Sequence, residues 1–211
     1  MKMFIRVFLS ICCLFVLSRS VKAQDQSIDA SELKELKEYF NSQDGQLNDH
    51  NHEKFTNFVV TPDNPKFSEK TDYTLRFSVS SQTFFEIVDG YLIFHFPESF
   101  DLSELDAAGI WTNFGYIFLV GFEVKTVEQF VIINYDAIVS DTAWDSTVVP
   151  DSVDFEVKLH EIINPEKAKY YRIGGAAKKD HKFVAGPSKS KPFEITEQFV
   201  EPKAELQIVF T

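Results

Sequence analysis

From Phe55 onward the apolar residues of this chain recur at every second position, and this period constrains its fold more than any other feature. Asp72 to Ser80 sets Tyr73, Leu75, Phe77 and Val79 on one face and Thr74, Arg76 and Ser78 on the other. Val153 to Leu159 repeats the pattern, with Val153, Phe155, Val157 and Leu159 opposed to Asp154, Glu156 and Lys158. Leu92, Phe94 and Phe96 share one side of Tyr91 to Phe96, and Leu206, Ile208 and Phe210 share one face of the terminal run. Gln129 to Tyr135 is a nearly continuous apolar strand. Shorter strand candidates are Phe55–Thr61, Thr83–Val88, Tyr116–Val124, Lys169–Ile173 and Pro192–Thr196. Successive side chains of a strand point to opposite faces, so alternating segments bury one face and wet the other. Two layers of such strands must then pack face to face.

Turn residues separate the runs: Pro62-Asp63-Asn64-Pro65, Asp89-Gly90, Pro150-Asp151, Asn164-Pro165, Gly174-Gly175 and Gly186-Pro187. A parallel α/β fold would need helices between the strands, and the sequence shows none there. The expected class is all-β, an antiparallel β-sandwich over residues 55–211.

The 54 residues ahead of that body differ from it. Lys2 and Arg6 precede an apolar run from Val7 to Leu17, followed by Val21 and Ala23 at minus three and minus one of a cleavage site. Residues 1–23 therefore read as a signal peptide; the run is too short for a membrane-spanning helix. Cys12 and Cys13, the only two cysteines, lie in it, so the mature chain is expected to be free of disulfides and held by its core. With 22 Phe and 44% hydrophobic residues it has the material for one. Residues 24–54 are polar and hold one short helix at about 29–40, with Asp29 and Glu32 at capping-box spacing and Leu33, Leu36 and Phe40 on one face. That helix is expected to pack on the domain edge; an arm docking on a neighbour is the other reading.

The leader carries four of the 21 basic residues and none of the 32 acidic ones, leaving 17 against 32 and a mature net charge of −15. Such a charge repels nucleic acid and anionic lipid, so neither is an expected partner, and no membrane insertion is expected once the leader is cleaved.

Several landmarks occur in a fixed order: Tyr73-Thr74-Leu75-Arg76-Phe77, then Leu92 to Phe100 with Phe96-Pro97-Glu98-Ser99-Phe100, then Ile132-Ile133-Asn134, Glu161-Ile162-Ile163-Asn164-Pro165 and Tyr170-Tyr171. Over roughly Phe55 to Thr196 the chain resembles the immunoglobulin-like modules of large secreted and cell-surface proteins of adhesin or filament type. The resemblance implies an immunoglobulin-like sandwich acting by contact. Pro97 and Asn164-Pro165 read as structural punctuation, not as a site.

Few residues present chemistry. His50 and His52, with Glu53 beside them, alternate as a metal-ligand pair on a strand would, but no further ligand group completes a set of four, and a polar linker explains them. Asp141, Asp145, Asp151 and Asp154 surround Trp144; calcium is the cation their oxygens would suit, although the spacing is not that of a calcium loop. Trp111 and Trp144 are placed in loops, either capping the ends of the core or stacking on a partner or a sugar. Ala176-Ala177-Lys178-Lys179-Asp180-His181-Lys182, with Lys189 and Lys191 beyond, is the one basic patch and reads as a solvated hairpin loop. There is no nucleophile elbow, H-E-x-x-H or phosphate-cradling loop, so no catalytic residue, cofactor or metal ligand is assigned. The expected function is a secreted, non-catalytic binding or structural module acting through protein–protein contact or self-assembly. The alternative is a carbohydrate-binding module using exposed Trp or Tyr.

Overall fold

A computed structural model describes residues 30–41, 52–87, 90–105, 108–113, 117–139 and 150–197; of 117–123 and 135–139 it describes the backbone. The predicted leader, His50, Asp141, Trp144, Asp145 and the terminal strand lie outside the described residues. By backbone contacts the chain divides after Leu33; the first unit contributes residues 30–33, the start of the first helix, to the described structure, and every side-chain contact given below lies in the second.

In chain order the elements are α1 (Ala30–Asn41), β1 (Thr56–Pro62), β2 (Lys70–Ser80), α2 (Ser81–Ile87), β3 (Tyr91–His95), β4 (Ala108–Thr112), β5 (Ile117–Val127), β6 (Phe130–Val139), β7 (Ser152–Ile163), β8 (Lys169–Tyr171), β9 (Gly174–Lys179), β10 (Lys182–Lys189) and β11 (Phe193–Ile195). They pair antiparallel into a four-stranded sheet, β1-β2-β7-β4, a five-stranded sheet, β10-β9-β3-β6-β5, and a ribbon of β11 with β8. With an immunoglobulin domain lettered A to G in chain order, the first sheet is A-B-E-D and the first three strands of the second are G-F-C. The β5–β6 hairpin is inserted between D and E and extends the second sheet beyond C. The expected sandwich is what the chain forms, and its strand order is immunoglobulin-like.

The alternating residues make the interior. Leu75 pairs with Val157, Phe77 with Phe155 and Val79 with Val153 across β2 and β7. Leu92 pairs with Ile133 and Phe94 with Val131 across β3 and β6. All ten of these side chains are buried in one cluster. Phe77 is stacked between Phe55, 4.2 Å away, and Phe155, 5.0 Å away, with Phe58 and Phe94 edge-on at 6.0 Å each. Antibody domains tie their two sheets with a disulfide packed against a Trp on strand C. Here the phenylalanine stack and Phe94, on the equivalent strand, occupy that region.

The ends of the sandwich follow from the punctuation. After β3 the chain turns at Pro97, whose carbonyl accepts from the Phe100 N–H at 3.0 Å, and Phe100 packs against Phe96 and Tyr171 at 5.4 and 5.1 Å. Tyr171 donates its hydroxyl to the Lys167 carbonyl at 2.9 Å, between strands E and F, in the manner of the tyrosine corner of immunoglobulin folds. The predicted tyrosine pair thus divides its work, since Tyr171 is buried while Tyr170 is exposed.

Three expectations are corrected. Of Thr83–Val88, expected as a strand, the described residues 83–87 belong to the helix α2. Ser80 caps it, its Oγ accepting from the Thr83 N–H at 3.2 Å, and Thr83, Phe84 and Ile87 form its buried face. Gly174-Gly175 and the basic patch, expected as turn and loop, belong to β9 and β10. Only Asp180 and His181 form the turn, both with positive φ as a two-residue hairpin demands, while Ala176, Ala177 and Lys178 are buried. The glycines begin a strand because side chains would collide there. A Cβ on Gly174 would lie 2.7 Å from the Phe40 ring, and one on Gly175 would lie 2.9 Å from both Phe55 and Phe58. The third correction concerns α1, whose residues from Glu35 to Phe40 lie on the outer face of the five-stranded sheet rather than at the sandwich edge. Tyr39 stacks on Phe183 at 3.5 Å, Phe40 meets His95 and Phe130 at 5.4 and 5.7 Å, and Glu35 pairs with Lys178 at 3.2 Å.

His95 lies beneath that helix, stacked on Phe130 at 4.6 Å. Burial lowers its pKa below the ordinary 6.5, with Glu98 opposing. The unfolded chain therefore takes up the proton first as pH falls. The contribution of His95 to stability is full above pH 6.5 and is lost as pH drops toward the folded pKa. His95→Phe should flatten the fall of the urea midpoint as pH drops below 6.5.

Candidate functional site

The outer face of the four-stranded sheet is built by the positions that alternate with the core. Cross-strand pairing sets them in rows that run across all four strands. One row is Val59, Arg76, Glu156 and Trp111; the row beside it is Thr61, Thr74, Lys158 and Gly109. On the other side Thr56, Ser78 and Asp154 are in register, and Asn113 reaches Asp154 from the end of β4. The face is polar, and its charges are matched. Arg76 Nε donates to Glu156 Oε2 at 2.7 Å. Asp154 accepts from Ser78 Oγ at 2.7 Å and from Asn113 Nδ2 at 3.0 Å, and its N–H donates to Asn113 Oδ1 at 2.9 Å.

Toward the other end, Lys158 Nζ stands 3.5 Å from Asp63 and 3.4 Å from Asp72, and Asp72 also meets His160 Nδ1 at 2.8 Å. Asp63 and Asp72 together hold the lysine above its ordinary pKa. For Asp72, burial pushes the carboxyl up, but hydrogen bonds from His160, the Glu161 N–H and Lys158 outweigh it and leave the group below the usual range.

Trp111 is the exception on this face, a large apolar group that is 53% exposed. Its ring lies across Gly109, two residues back on the same edge strand; a Cβ there would come within 2.3 Å of the ring. One face of the indole is thus supported by backbone, while the side chain remains open to solvent. A trough of about 680 Å³ runs from Trp111 past Glu156 and Arg76 to Val59 and Asn57. The expected loop position of Trp111, plugging an end of the core, is corrected: the residue lies on β4 with its ring outside.

The other sequence candidates find structural roles. Glu53 accepts from the Ser80 N–H at 2.7 Å, from Ser80 Oγ at 2.6 Å and from Thr83 Oγ1. Burial raises the pKa of Glu53, and these bonds bring it below the usual carboxylate range. Its oxygens hold the start of α2. Asp154 is bonded as above, and Asp151 is exposed beside the start of β7. Among the described residues no group of three or more His, Cys, Asp or Glu is arranged to hold a metal ion. Among them, too, no helix is long and apolar enough to cross a membrane. Asn164 is buried and accepts from the Tyr73 hydroxyl while donating to the Asn64 and Lys66 carbonyls at 2.8 and 2.7 Å.

The two flanks of the sandwich differ. On one, Glu53 bridges to Ala185, Gly186 N–H donates to the Glu53 carbonyl at 2.8 Å, and Lys191 N–H donates to Phe58 at 2.8 Å, joining the β1 and β10 sides. On the other, β4 and β5 are the terminal strands of their sheets, each with one paired neighbour among the described residues. Sequence reasoning missed β4. Its five residues include a glycine and alternate too briefly to register as a strand.

Among solved structures, the chain is similar to the major pilin SpaA of Corynebacterium diphtheriae, at 10% identity over 65% of this chain and 38% of that one, with a TM-score of 0.40. The major pilin subunit BcpA of Bacillus cereus gives 9% identity over 65% and 39%, with a TM-score of 0.35. BslA, a bacterial hydrophobin, gives 11% over 66% and 96%, with a TM-score of 0.32. The chain spans less than two fifths of the length of either pilin. No family model and no curated protein matches the sequence. Likeness at this level transfers no role, and the immunoglobulin-like assignment rests on the strand order itself.

Proposed function

We propose that this chain is a secreted, non-catalytic module that acts by protein–protein contact, as a subunit of an extracellular or cell-surface assembly. The observation that carries the reading is the unequal closure of the sandwich. One flank is stitched by backbone hydrogen bonds, whereas on the other, among the described residues, the five-stranded sheet ends in β5, an eleven-residue strand of sequence Ile-Phe-Leu-Val-Gly-Phe-Glu-Val-Lys-Thr-Val. A long apolar edge strand is a template for pairing with another chain, and soluble monomers blunt such edges with charge, proline or brevity. Export of a disulfide-free sandwich with a strongly acidic surface fits a component that meets its partner outside the cell.

Sedimentation velocity on the mature chain over a wide concentration range tests this. Concentration-dependent oligomers are expected. Thr126 is exposed on β5 and paired with Val131, so Thr126→Lys sets a charge at the edge on the side facing the core. That substitution should cut the oligomeric fraction several-fold without lowering the melting temperature by more than about 2 °C. A wild-type chain that stays monomeric at every concentration would end the proposal.

A further inference from the structure

The geometry points to a second contact surface: the trough on the outer face of the four-stranded sheet is a site for a neutral pyranose chain, with Trp111 as its stacking platform. This does not rest on the assembly reading, which concerns the β5 edge.

The inference begins with the indole. A tryptophan 53% exposed on a sheet face, with its ring braced against Gly109, is pre-set in one orientation and gives up little freedom when a ligand covers it. Such a surface accepts the C–H face of a sugar whose hydroxyls are equatorial, because that face is flat and apolar. The rest of the trough supplies what the hydroxyls need. Glu156 is the cross-strand neighbour of Trp111, and Arg76 is one strand further, so at about 4.8 Å between strands the ion pair lies about 5–10 Å from the platform. That is the distance of the stacked ring and the next one. The Arg76–Glu156 bond engages Nε and one carboxylate oxygen, and the two side chains are 61% and 42% exposed, so both retain capacity toward a ligand.

Charge selects the ligand class. Arg76 is matched by Glu156, Lys158 by Asp63 and Asp72, and Asp154 by the neutral donors Ser78 and Asn113. Among the described residues the face offers no unopposed cation to an acidic polysaccharide. Its paired groups present donors and acceptors to hydroxyls. The trough, about 680 Å³ and open along its length, fits a chain of sugars lying across the strands better than an enclosed monosaccharide.

The test is retention of the mature chain on microcrystalline cellulose and on chitin, together with affinity electrophoresis in hydroxyethylcellulose. Retention on at least one of these β-linked glucose or N-acetylglucosamine polymers is expected. Trp111→Ala should weaken it at least ten-fold, Trp111→Tyr should keep most of it, and Tyr170→Ala, at an exposed aromatic on β8, should leave it unchanged. Thermal melts of the four proteins establish that each is folded. Absence of retention on all three polymers overturns the inference, as does equal binding by Trp111→Ala. So does a Trp111→Ala variant whose change is loss of oligomers with no effect on polysaccharide, because the face would then be a protein contact.

Discussion

Phe77→Ala should lower the unfolding free energy by about 3–5 kcal/mol, the range for deleting an aromatic ring from a packed interior. The position makes the upper part of that range the expectation. Phe77 is 1% exposed and sits between two stacked rings, Phe55 and Phe155, while Phe58 and Phe94 meet its edge. These neighbours come from both sheets and from the segment ahead of β1. Their backbones are fixed by separate ladders, so the gap cannot close by a shift of one element. Aromatic pairs add about 0.5–1.5 kcal/mol beyond the area they bury, and each stacked partner loses one. A domain of this size loses about 2–4 °C per kcal/mol, so the melting temperature should fall by about 6–20 °C. Phe77→Leu, which fills more of the space, should recover roughly half. If Phe77→Ala melts within 2 °C of the wild type, the central stack is not what joins the sheets, and the cohesion of residues 24–211, which contain no cysteine, needs another explanation.

The physical reason that stack was legible from the sequence also explains what was not. Phe77 and Phe155 belong to long runs whose buried and wet residues alternate without a break, and only a strand with one dry face produces that pattern. Gln129 to Tyr135 was legible by apolarity alone, and α1 by its caps and spacing. Thr83–Val88 misled because its aromatic, β-branched composition favours a strand, whereas its helix is set by Ser80 and by Glu53, whose carboxylate arrives from 27 residues away. Gly174-Gly175 misled for a similar reason. Glycine pairs usually mark turns, but here each glycine clears space for rings from distant parts of the chain. Trp111 was singled out by residue type and misplaced by context: β4 is recognisable as a strand only through its ladder with β7, and nothing local tells which side of the ladder the indole takes. The candidate face was invisible for a deeper reason. Its members, Arg76, Glu156 and Trp111, belong to three strands and become neighbours only once register is fixed.

Asn164→Ala is expected to be the most costly substitution outside the apolar interior, at about 3 kcal/mol. One amide makes three bonds here. Its oxygen accepts from the Tyr73 hydroxyl, and its nitrogen donates to the Asn64 and Lys66 carbonyls at 2.8 and 2.7 Å. Asn164 is 3% exposed and Tyr73 is fully buried, so loss of the amide leaves a phenol and two carbonyls to find partners where water has poor access. Burial already drives the Tyr73 pKa upward, as expected for a hydroxyl kept from solvent. The amide also ties the turn at 64–66 to the end of β7, where Thr196 N–H bonds to Pro65 and Phe67 N–H bonds to Thr196; this turn joins β1 and β2 and receives the end of the β11 segment. Loosening it should therefore release one end of the sandwich and raise amide exchange at Lys66, Phe67 and Thr196 before global unfolding. Tyr73→Phe supplies the cycle. If the phenol–amide bond is a main part of the cost, the double variant should be less destabilised than the sum of the singles by about 1 kcal/mol or more. Strict additivity would mean that Asn164 acts through the turn alone, and the buried phenol would then need a partner other than this amide.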